Sequence, residues 1–418
     1  MTYEDEASNR GCTEECLAED GSTGLLGSMV TTAAGTLSRV TGQRVRLSRT
    51  EVLREPEGRS CVLRCRVEEG SQEIGESVVV KRALRSKAEE TDGRRAAERF
   101  DKEVVGLTFL HRLSVSRPPV PKLLATEPQE LLIVMEDLGR GTSLADLLTA
   151  DDPGAATEAL LTYAASLGRL HAATAGREAE YVAAGGRVDT RVSEESATAF
   201  EELGSLLDEL TGSRETAWNR EATRVGEALR EPGPFLVFNI MDACPDNHLL
   251  EGDHVRFFDL EFARFGHALL EGSYLRLPFP TCWCMGRLPD HVQRAAIAVY
   301  RRELIQGCPE AANDGAFELG MTIACAFWTC RSVASTLRWA LQGDEEWGLV
   351  SIRRRAVYRL EALATQSTQS RELQAIGAGS ARLASELRRR WQDQDLTMPV
   401  YPAFGAGVPI AESRALAP

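Results

Sequence analysis

The 418-residue chain contains no apolar run of the roughly 18 residues that a membrane-spanning helix needs. Its longest apolar runs, LLIVM at 131–135 and MTIACAFW at 321–328, are far shorter. The N-terminal sequence MTYEDEASNRGCTEECLAEDGSTG is acidic, and it lacks the basic start and the apolar middle of a signal peptide. These absences predict a cytoplasmic protein that does not cross a membrane, with a disordered segment at residues 1–28.

Basic residues are scarce relative to acidic ones. The chain has 48 Lys and Arg residues against 62 Asp and Glu residues, which gives a formal net charge of -14. Proteins that bind nucleic acids or anionic membranes rely on basic side chains to neutralise phosphates, so this charge argues against both classes of partner. A small-molecule partner, and a cationic one in particular, is easier to accommodate. We expect the protein to be a monomer or a homodimer.

The chain also lacks the cysteine and histidine spacing of a structural zinc site. It has 10 cysteines and 6 histidines, and its close pairs, Cys12 with Cys16 and Cys282 with Cys284, do not make two CxxC units at zinc-ribbon spacing. A disulfide scaffold is not expected in a cytoplasmic chain of this length. The cysteines are therefore interpreted as buried or incidental thiols, with structural zinc as the less favoured alternative.

The composition, 43% hydrophobic and 26% charged, is that of a globular protein with a sizeable core. Residues 29–138 show Val-rich and Leu-rich strand patterns separated by turn residues, with one amphipathic helix at 92–113. Residues 139–418 are mostly helical, and the Gly-rich sequence LGRGT at 138–142 separates the two parts. The sequence therefore predicts an α+β protein with a small antiparallel-sheet N-lobe and a large, mainly helical C-lobe.

Two charged residues of the N-lobe are candidates for a functional ion pair. Lys81 ends the apolar strand pattern SVVVK, where its ammonium group would need an anionic partner because little water is nearby. Glu103 lies one position from the apolar face of the helix at 92–113, so its carboxylate can reach toward the sheet. Taken alone, each side chain is more often a solvated surface residue. Taken together, they indicate an ion pair that holds nucleotide phosphates.

Two strand patterns of the C-lobe carry polar residues at their ends. FNIMDACPDNHLL at 238–250 places Asp242 and Asn247 in a loop, and VRFFDLEFA at 255–263 ends an apolar run on Asp259. Asp and Asn also favour simple turns, which is the alternative interpretation. Combined with the lysine upstream, these residues supply what phosphoryl transfer needs. Asn247 and Asp259 are candidate ligands of Mg²⁺, and Asp242 is a candidate proton acceptor.

The order of these landmarks resembles that of the aminoglycoside phosphotransferase family, which is related to the eukaryotic-type protein kinases. The resemblance extends over about residues 45–270 and rests on the order and spacing of VVVK, FDKEVVGLTFL, LLIVMEDL, LGRLHA, DACPDN and FFDLEFA. It implies a bilobal protein-kinase-like fold. It also implies an enzyme that moves the γ-phosphoryl group of ATP, or of GTP, to a hydroxyl group of a small molecule, with Mg²⁺ as cofactor.

The resemblance implies roles for individual residues. Asp242 matches the catalytic-loop aspartate, and Asn247 and Asp259 match the two metal ligands. In MEDL, the Glu136 carbonyl and the Leu138 amide match the hinge that receives the adenine base. Because backbone groups do that work, the identity of these two side chains matters little.

The sequence matches the family at one further residue and departs from the family pattern at two places. His171, in LGRLHA, matches the family's signature histidine and is interpreted as a packing residue. Ile240-Met241 replaces the usual His-Gly before the catalytic aspartate, which removes a hydrogen-bonding residue that normally braces the loop. The glycine-rich phosphate loop is reduced to Gly58 and Ser60 in EPEGRSC, so phosphate contacts there depend on few backbone N–H groups.

Residues 271–395 are expected to form the acceptor pocket, with the helical segment 176–232 as a wall. The acidic chain suits a cationic aminosugar, whereas a neutral or apolar natural product would sit against Trp283, Phe279 and Tyr274. The sequence therefore predicts a small-molecule kinase that acts on an antibiotic, and so confers resistance, or on another natural product. The alternative is a nucleotide-binding pseudokinase or regulatory module, which the two departures above motivate.

Overall fold

The computed structural model of the chain describes residues 18–56, 58–85, 94–113, 118–187, 191–368 and 370–405. Its N-terminal strands are β1 Arg46–Arg54, β2 Ser60–Glu69, β3 Ser77–Ala83, β4 Leu123–Glu127 and β5 Leu132–Glu136. They form one antiparallel sheet in the order β1-β2-β3-β5-β4. The antiparallel sheet predicted for the N-lobe is therefore confirmed.

The two faces of this sheet have different neighbours, because successive side chains of a strand point in opposite directions. Val78 and Val80 of β3 are fully buried in an apolar cluster with helix α1 Ala18–Thr41. Lys81 points to the opposite face, where it meets Glu103 of helix α2 Arg94–Arg112. The strand alternation therefore separates the apolar core of the N-lobe from the charged face that borders the C-lobe.

Helix α1 begins at Ala18, inside the segment 1–28 that the sequence predicted to be disordered. Its apolar residues recur at helical spacing and are buried against the sheet: Leu26, Met29, Ala33 and Leu37. The prediction of disorder is wrong for residues 18–28, because burial of this apolar stripe outweighs the acidic composition of the segment. Residues 1–17 lie outside the described part of the chain.

The C-terminal part is mainly helical. Its helices are α3 Leu144–Thr149, α4 Pro153–Thr174, α5 Glu178–Ala183, α6 Arg191–Thr211, α7 Trp218–Arg230, α8 Leu269–Gly272, α9 Asp290–Leu304, α10 Asp314–Gln342, α11 Ile352–Ser367 and α12 Gln374–Arg390. Its short antiparallel strands pair as β6 Leu236–Asn239 with β9 Arg264–His267, β7 His248–Glu251 with β8 His254–Phe257, and β10 Glu346–Trp347 with β11 Val350–Ser351. The predicted α+β architecture, a small antiparallel sheet followed by a larger helical lobe, is confirmed.

The segment 176–232 folds into α5, α6 and α7 within the C-lobe. Helix α6 packs against α10 and α12, and α7 packs against α6. Phe200 of α6 and Trp218 of α7 are buried in the large apolar core. The segment therefore helps to build the core that supports the C-lobe. Among the described residues, no helix has both the length and the apolar composition needed to cross a membrane.

A buried histidine makes the fold sensitive to acid. His248, the first residue of β7, is fully buried, and its ring lies 5.0 Å from that of Tyr163 and 5.6 Å from that of Phe257. Burial lowers the pKa of His248 from 6.5 to about 3. Because the folded state binds the proton less readily than the unfolded state, stability is complete above the unfolded pKa of about 6.5 and is lost as the pH falls toward 3.

We expect His248→Phe to protect the fold against acid, because the substitution keeps an aromatic ring but removes the titrating group. Between about pH 7.5 and about pH 5, the free energy of unfolding of the wild type should fall by about 2 kcal/mol more than that of the variant. Urea unfolding at both pH values measures the difference. The exposed His291→Gln variant serves as control and should behave like the wild type. An equal fall for His248→Phe and the wild type would contradict this assignment.

Candidate active site

The β7–β8 hairpin brings the two predicted metal ligands to one end. His248 pairs with Phe257, so Asn247 precedes the hairpin at the end where Asp259 leaves it. The Phe258 N–H donates to the Asn247 carbonyl over 3.1 Å, which continues the pairing toward the site. Asn247 is 8% exposed and Asp259 is 9% exposed. The two side chains are therefore held at the edge of the core, where a ligand can still reach them.

The loop at 242–247 is closed by its own hydrogen bonds. The Asn247 side-chain nitrogen donates to the Asp242 carbonyl over 3.0 Å, and the Asn247 backbone N–H donates to the Cys244 carbonyl over 3.0 Å. Since the amide nitrogen is used in this bond, the amide oxygen of Asn247 is the atom that remains for a cation. The loop thus fixes the orientation of a predicted ligand relative to the predicted base.

The ammonium group of Lys81 lies in a buried ion cluster. Its Nζ atom lies 2.6 Å from Glu103 Oε2 and 2.5 Å from Asp259 Oδ1. Burial acts to lower the pKa of Lys81, but the carboxylates of Asp259 and Glu103 outweigh it and raise that pKa, so the ammonium group remains charged. The structure therefore brings these three predicted residues into direct contact, and Glu103 is a buried partner rather than a solvated helix residue.

The two carboxylates that contact Lys81 differ in their titration. Burial raises the pKa of Glu103 to about 7. Burial also acts to raise the pKa of Asp259, but Lys81 and Arg54 hold it below its ordinary range. Asp259 is therefore the firmly anionic member of the cluster, as a metal ligand should be.

A third carboxylate, which the sequence reasoning missed, completes the acidic side of the cluster. Glu261 is 2% exposed, and one of its oxygens lies 3.8 Å from Lys81 Nζ. Carboxylate oxygens of Glu103, Asp259 and Glu261 all lie within 4.8 Å of one another. The Lys81 ammonium lies among these oxygens, and carboxylate oxygens are also the kind of ligand that Mg²⁺ prefers. The available signal was the position of Glu261 two residues after Asp259 in FFDLEFA.

The predicted phosphate loop lies between β1 and β2. Gly58 is exposed, and a side chain there would meet open space. Ser60 is fully buried, and its Oγ accepts a hydrogen bond over 3.2 Å from Arg54. Arg54 also reaches Asp259 Oδ2 over 3.3 Å. Any contact between Ser60 and a phosphate would therefore involve its backbone. Arg54, which was not predicted, links this loop to Asp259.

The predicted hinge follows directly from β5, which ends at Glu136. The Glu136 carboxylate accepts hydrogen bonds from Arg256 over 2.7 Å and from the Lys122 N–H over 2.9 Å. Within the part of the chain that the structure describes, no protein group accepts the Leu138 N–H. Met135 is buried behind the strand. The side chain of Glu136 is thus used in hydrogen bonds within the protein, whereas the Leu138 N–H is available to donate to a nucleotide base.

The predicted catalytic loop is held from the C-lobe by a hydrogen bond, although Ile240-Met241 replaces the usual His-Gly. The Met241 N–H donates to one oxygen of Glu271, whose other oxygen bonds His171 Nε2 over 2.9 Å. His171 Nδ1 bonds the Tyr300 hydroxyl over 2.9 Å. The resemblance suggested only packing for His171, but both of its ring nitrogens take part in a buried network. Glu271 had no signal in the sequence, because its partner is 30 positions away.

Two backbone positions in the site have left-handed conformations. The φ angle is 66° at Met241 and 65° at Asp259. A non-glycine residue with positive φ is uncommon, and such residues concentrate at functional sites. Glycine adopts a positive φ without strain, which explains why glycine suits the position of Met241. Here the hydrogen bond from the Met241 N–H to Glu271 stabilises the same conformation for methionine. Neither conformation could be read from local sequence patterns.

Asp242 is partly exposed, and its carboxyl group is strongly perturbed. Burial raises the pKa of Asp242 to about 8, with further contributions from the negative charges of Asp259 and Asp246. A carboxyl group whose pKa lies near neutrality suits a group that accepts a proton during a reaction. The structure places it five residues before Asn247 in the same closed loop.

A disulfide joins this loop to the region predicted to bind the acceptor. Cys244 and Cys282 are bonded, with their Cα atoms 5.9 Å apart. The interpretation of the cysteines as thiols is wrong for this pair, because folding brings together residues that are 38 positions apart. The other cysteines of the described residues are buried free thiols: Cys61, Cys65, Cys284, Cys308, Cys325 and Cys330. Cys12 and Cys16 lie outside the described residues.

Trp283 is the aromatic residue of the predicted acceptor region that remains open to solvent. It is 37% exposed, and its indole N–H donates to Asp246 Oδ2 over 2.7 Å. Phe279 and Tyr274 are fully buried. The expectation that an apolar acceptor would sit against them is therefore wrong, because both rings pack in the C-lobe core.

Comparison with known proteins gives one family match. The family model described as the phosphotransferase enzyme family matches residues 55–302, which is more than half of the chain. No curated protein matches the chain.

Similar solved structures include a choline kinase from Cryptosporidium parvum Iowa II, with 13% sequence identity and a TM-score of 0.44 over 82% of this chain and 93% of that chain. The GDP complex of wild-type aminoglycoside 2'-phosphotransferase-IIIa has 13% identity and a TM-score of 0.46 over 84% of this chain and 99% of that chain. Choline kinase LicA from Streptococcus pneumoniae has 13% identity and a TM-score of 0.43 over 82% of this chain and 99% of that chain.

Proposed function

The chain belongs to the phosphotransferase enzyme family, and from that premise we propose that it transfers the γ-phosphoryl group of ATP, or of GTP, to a hydroxyl group of a small molecule. One observation carries the proposal. Lys81 of the sheet, Glu103 of α2 and Asp259 of the C-lobe meet in a single buried ion cluster. Phosphoryl transfer needs this combination of a held cation and an anionic metal ligand beside the nucleotide phosphates.

The nucleotide would lie between the sheet and the C-lobe. Glu103 holds the Lys81 ammonium in place, and Lys81 contacts the phosphates. The Glu136 carbonyl and the Leu138 N–H receive the base at the hinge, and backbone N–H groups near Gly58 and Ser60 border the phosphates. No group of the described residues accepts the Leu138 N–H, and this supports the placement. The domain boundaries that go with it are an N-lobe up to residue 138 and a C-lobe from residue 139.

The metal and the base occupy the C-lobe side of the cleft. Asn247 and Asp259 have the oxygen ligands that would hold Mg²⁺, and an oxygen of Glu261 lies within 4.8 Å of one of Asp259. When bound, Mg²⁺ neutralises charge on the phosphates during transfer. Asp242 orients the acceptor hydroxyl and takes its proton, because its carboxyl group has a pKa near neutrality and belongs to the loop that carries Asn247.

The acceptor would bind near Trp283, which contacts Asp246 of the loop that carries Asp242. The exposed indole of Trp283 lies next to the carboxylate of Asp246, and this combination favours an acceptor with a cationic group, such as an aminosugar or an amino alcohol. An antibiotic of that class would make the protein a resistance enzyme. A cytoplasmic location and a monomeric or dimeric state are part of the same proposal.

We expect ATP consumption when a panel of hydroxylated antibiotics and metabolites is presented with Mg²⁺, and we expect cationic members of the panel to be the substrates. The panel should include aminoglycosides and choline, together with neutral alcohols of similar size. Release of ADP measures turnover, and the transferred phosphate is located on the acceptor by mass spectrometry. Enzyme without acceptor gives the background rate.

The alternative function, a nucleotide-binding regulatory module, makes a different prediction for the same experiment. Such a module would bind ATP and release no ADP above background with any acceptor. The intact Glu271 bond to the catalytic loop argues for the enzyme, because the structure supplies the support that Ile240-Met241 lacks. Failure to bind any nucleotide would contradict both functions.

A further inference from the structure

Arg54 links the two sides of the proposed nucleotide cleft. It is the last residue of β1, and the loop that replaces a glycine-rich phosphate loop begins directly after it. Its guanidinium group reaches Asp259 Oδ2 over 3.3 Å, although the two residues are 205 positions apart. The same Nη1 atom donates to Ser60 Oγ over 3.2 Å. One arginine thus spans from the phosphate loop to the proposed metal ligand.

Both oxygens of Asp259 are occupied by cations in this arrangement. Lys81 Nζ contacts Oδ1 over 2.5 Å, and Arg54 contacts Oδ2. The Lys81 side chain is 6% exposed and is also held by Glu103, whereas the Arg54 side chain is 36% exposed. Arg54 is therefore the cation that can leave. When Arg54 leaves, Asp259 stays paired with Lys81, so its charge is not left without a partner.

The loop between β1 and β2 offers few other groups to a phosphate. Gly58 is its single glycine, and the Ser60 hydroxyl is turned inward to Arg54. A second arginine, Arg59, is only 19% exposed and lies 3.7 Å from Glu261. This loop, EPEGR at 55–59, combines one glycine with one arginine and two glutamates. The positive side chains available to a phosphate there are Arg54, directly before the loop, and Arg59.

We propose that Arg54 binds the phosphates of the nucleotide. While the cleft is empty, Arg54 neutralises Asp259. When Asp259 binds a metal ion instead, Arg54 moves to the β- and γ-phosphates. The proposal rests on the proposed function of the site. The guanidinium group carries several N–H donors in a planar fork, which matches two phosphate oxygens at once. Ser60 keeps the group close to the phosphates during the exchange. The residue thus supplies the contact that the reduced glycine loop lacks.

The test compares nucleotide affinity with nucleoside affinity. Isothermal calorimetry at saturating Mg²⁺ should show that Arg54→Gln lowers the affinity for ATP by about 10- to 100-fold, the usual effect of a charge-assisted contact to phosphate. The affinity for adenosine should change by less than about two-fold, because adenosine contacts only the hinge side of the cleft. Arg54→Lys should recover part of the ATP affinity, since an ammonium group keeps the charge but not the fork.

Arg49→Gln is the matched control. Arg49 lies on the same strand, is exposed, and carries the same charge. This variant should bind ATP as the wild type does, which separates a local contact from a general loss of positive charge. Retained adenosine binding shows that the Arg54 variants are folded.

Three other results of these binding measurements would each contradict a different claim. If Arg54→Gln binds ATP with wild-type or higher affinity, Arg54 only shields Asp259 from metal, and the proposed phosphate contact is wrong while the proposed function stands. If the wild-type protein binds neither ATP nor GTP, the proposed function is wrong and the role of Arg54 falls with it. If Arg49→Gln weakens ATP binding as much as Arg54→Gln does, the effect is long-range charge and the specific contact is excluded.

Discussion

Asp242→Asn is expected to lower kcat by about 10²–10⁴, the usual effect of losing a positioned general base, and to leave the Kd for ATP within about two-fold. The substitution keeps the size of the side chain and its place in the loop, but the amide cannot accept the proton of the acceptor hydroxyl. We expect ATP binding to survive, because in the proposed site Lys81 and the hinge, rather than Asp242, hold the nucleotide. Steady-state kinetics on a true acceptor and calorimetry with ATP measure the two effects separately.

The pH dependence of the same variant gives a second readout. Burial and the neighbouring charges of Asp259 and Asp246 raise the pKa of Asp242 to about 8. The deprotonated carboxylate is the active form, so kcat/KM of the wild type should rise as the pH increases through this pKa and should fall on the acid side. The residual activity of Asp242→Asn should lack this acid limb.

The control for this prediction is Asp253→Asn. Asp253 is an exposed carboxylate in the turn of the β7–β8 hairpin, at the end opposite to Asn247. Its removal changes the net charge by the same amount and should leave kcat unchanged. Full activity of Asp242→Asn on a true acceptor would show that the loop at 242–247 is only a polar turn.

Much of this site was predictable because its residues lie in or directly after regular elements with a clear periodicity. Lys81 lies in strand β3, whose alternation separates it from the buried Val78 and Val80, and Asp259 follows the short strand β8, so local periodicity indicates where both side chains lie. Glu103 lies on a helix whose apolar stripe defines the face toward the sheet. The resemblance then supplied the order of these elements, which periodicity alone does not contain.

The contacts that the sequence did not predict join residues that no local pattern relates. Arg54 and Asp259 are 205 positions apart, and Met241 and Glu271 are 30 positions apart. Such pairs depend on how the lobes and loops pack, and a charged residue near a turn is most often solvated. The disulfide between Cys244 and Cys282 was missed for the same reason.

The N-terminal helix shows a different kind of error. The first two dozen residues are rich in acidic residues, and composition alone suggests a disordered segment. The helix that begins at Ala18 nevertheless continues to Thr41, and Leu26, Met29 and Leu37, just beyond the acidic residues, recur at helical spacing and are buried against the sheet. Where composition and periodicity disagree, a few apolar residues on one helical face suffice to fold the segment, because they have a sheet to cover.

Asp259→Asn is expected to lower turnover at least about 10³-fold and to remove the dependence of ATP affinity on Mg²⁺. Asp259 is the firmly anionic carboxylate of the cluster, since Lys81 and Arg54 hold its pKa below the ordinary range. A neutral amide attracts a divalent cation far less. Asparagine is preferred to alanine for this test because Asp259 has a φ angle of 65°, a conformation that Asn tolerates better than Ala.

The measurement is ATP affinity by calorimetry with Mg²⁺ and with a chelator, together with turnover on a true acceptor. The wild type should bind ATP more tightly with Mg²⁺, whereas Asp259→Asn should bind it equally under both conditions. Asn247→Ala should lower turnover less than Asp259→Asn does. Water can replace the neutral oxygen ligand that Asn247→Ala removes, whereas nothing in Asp259→Asn replaces the lost negative charge. Unchanged turnover in Asp259→Asn would remove Asp259 from the metal site. The ion pair with Lys81 would then serve only to join the two lobes.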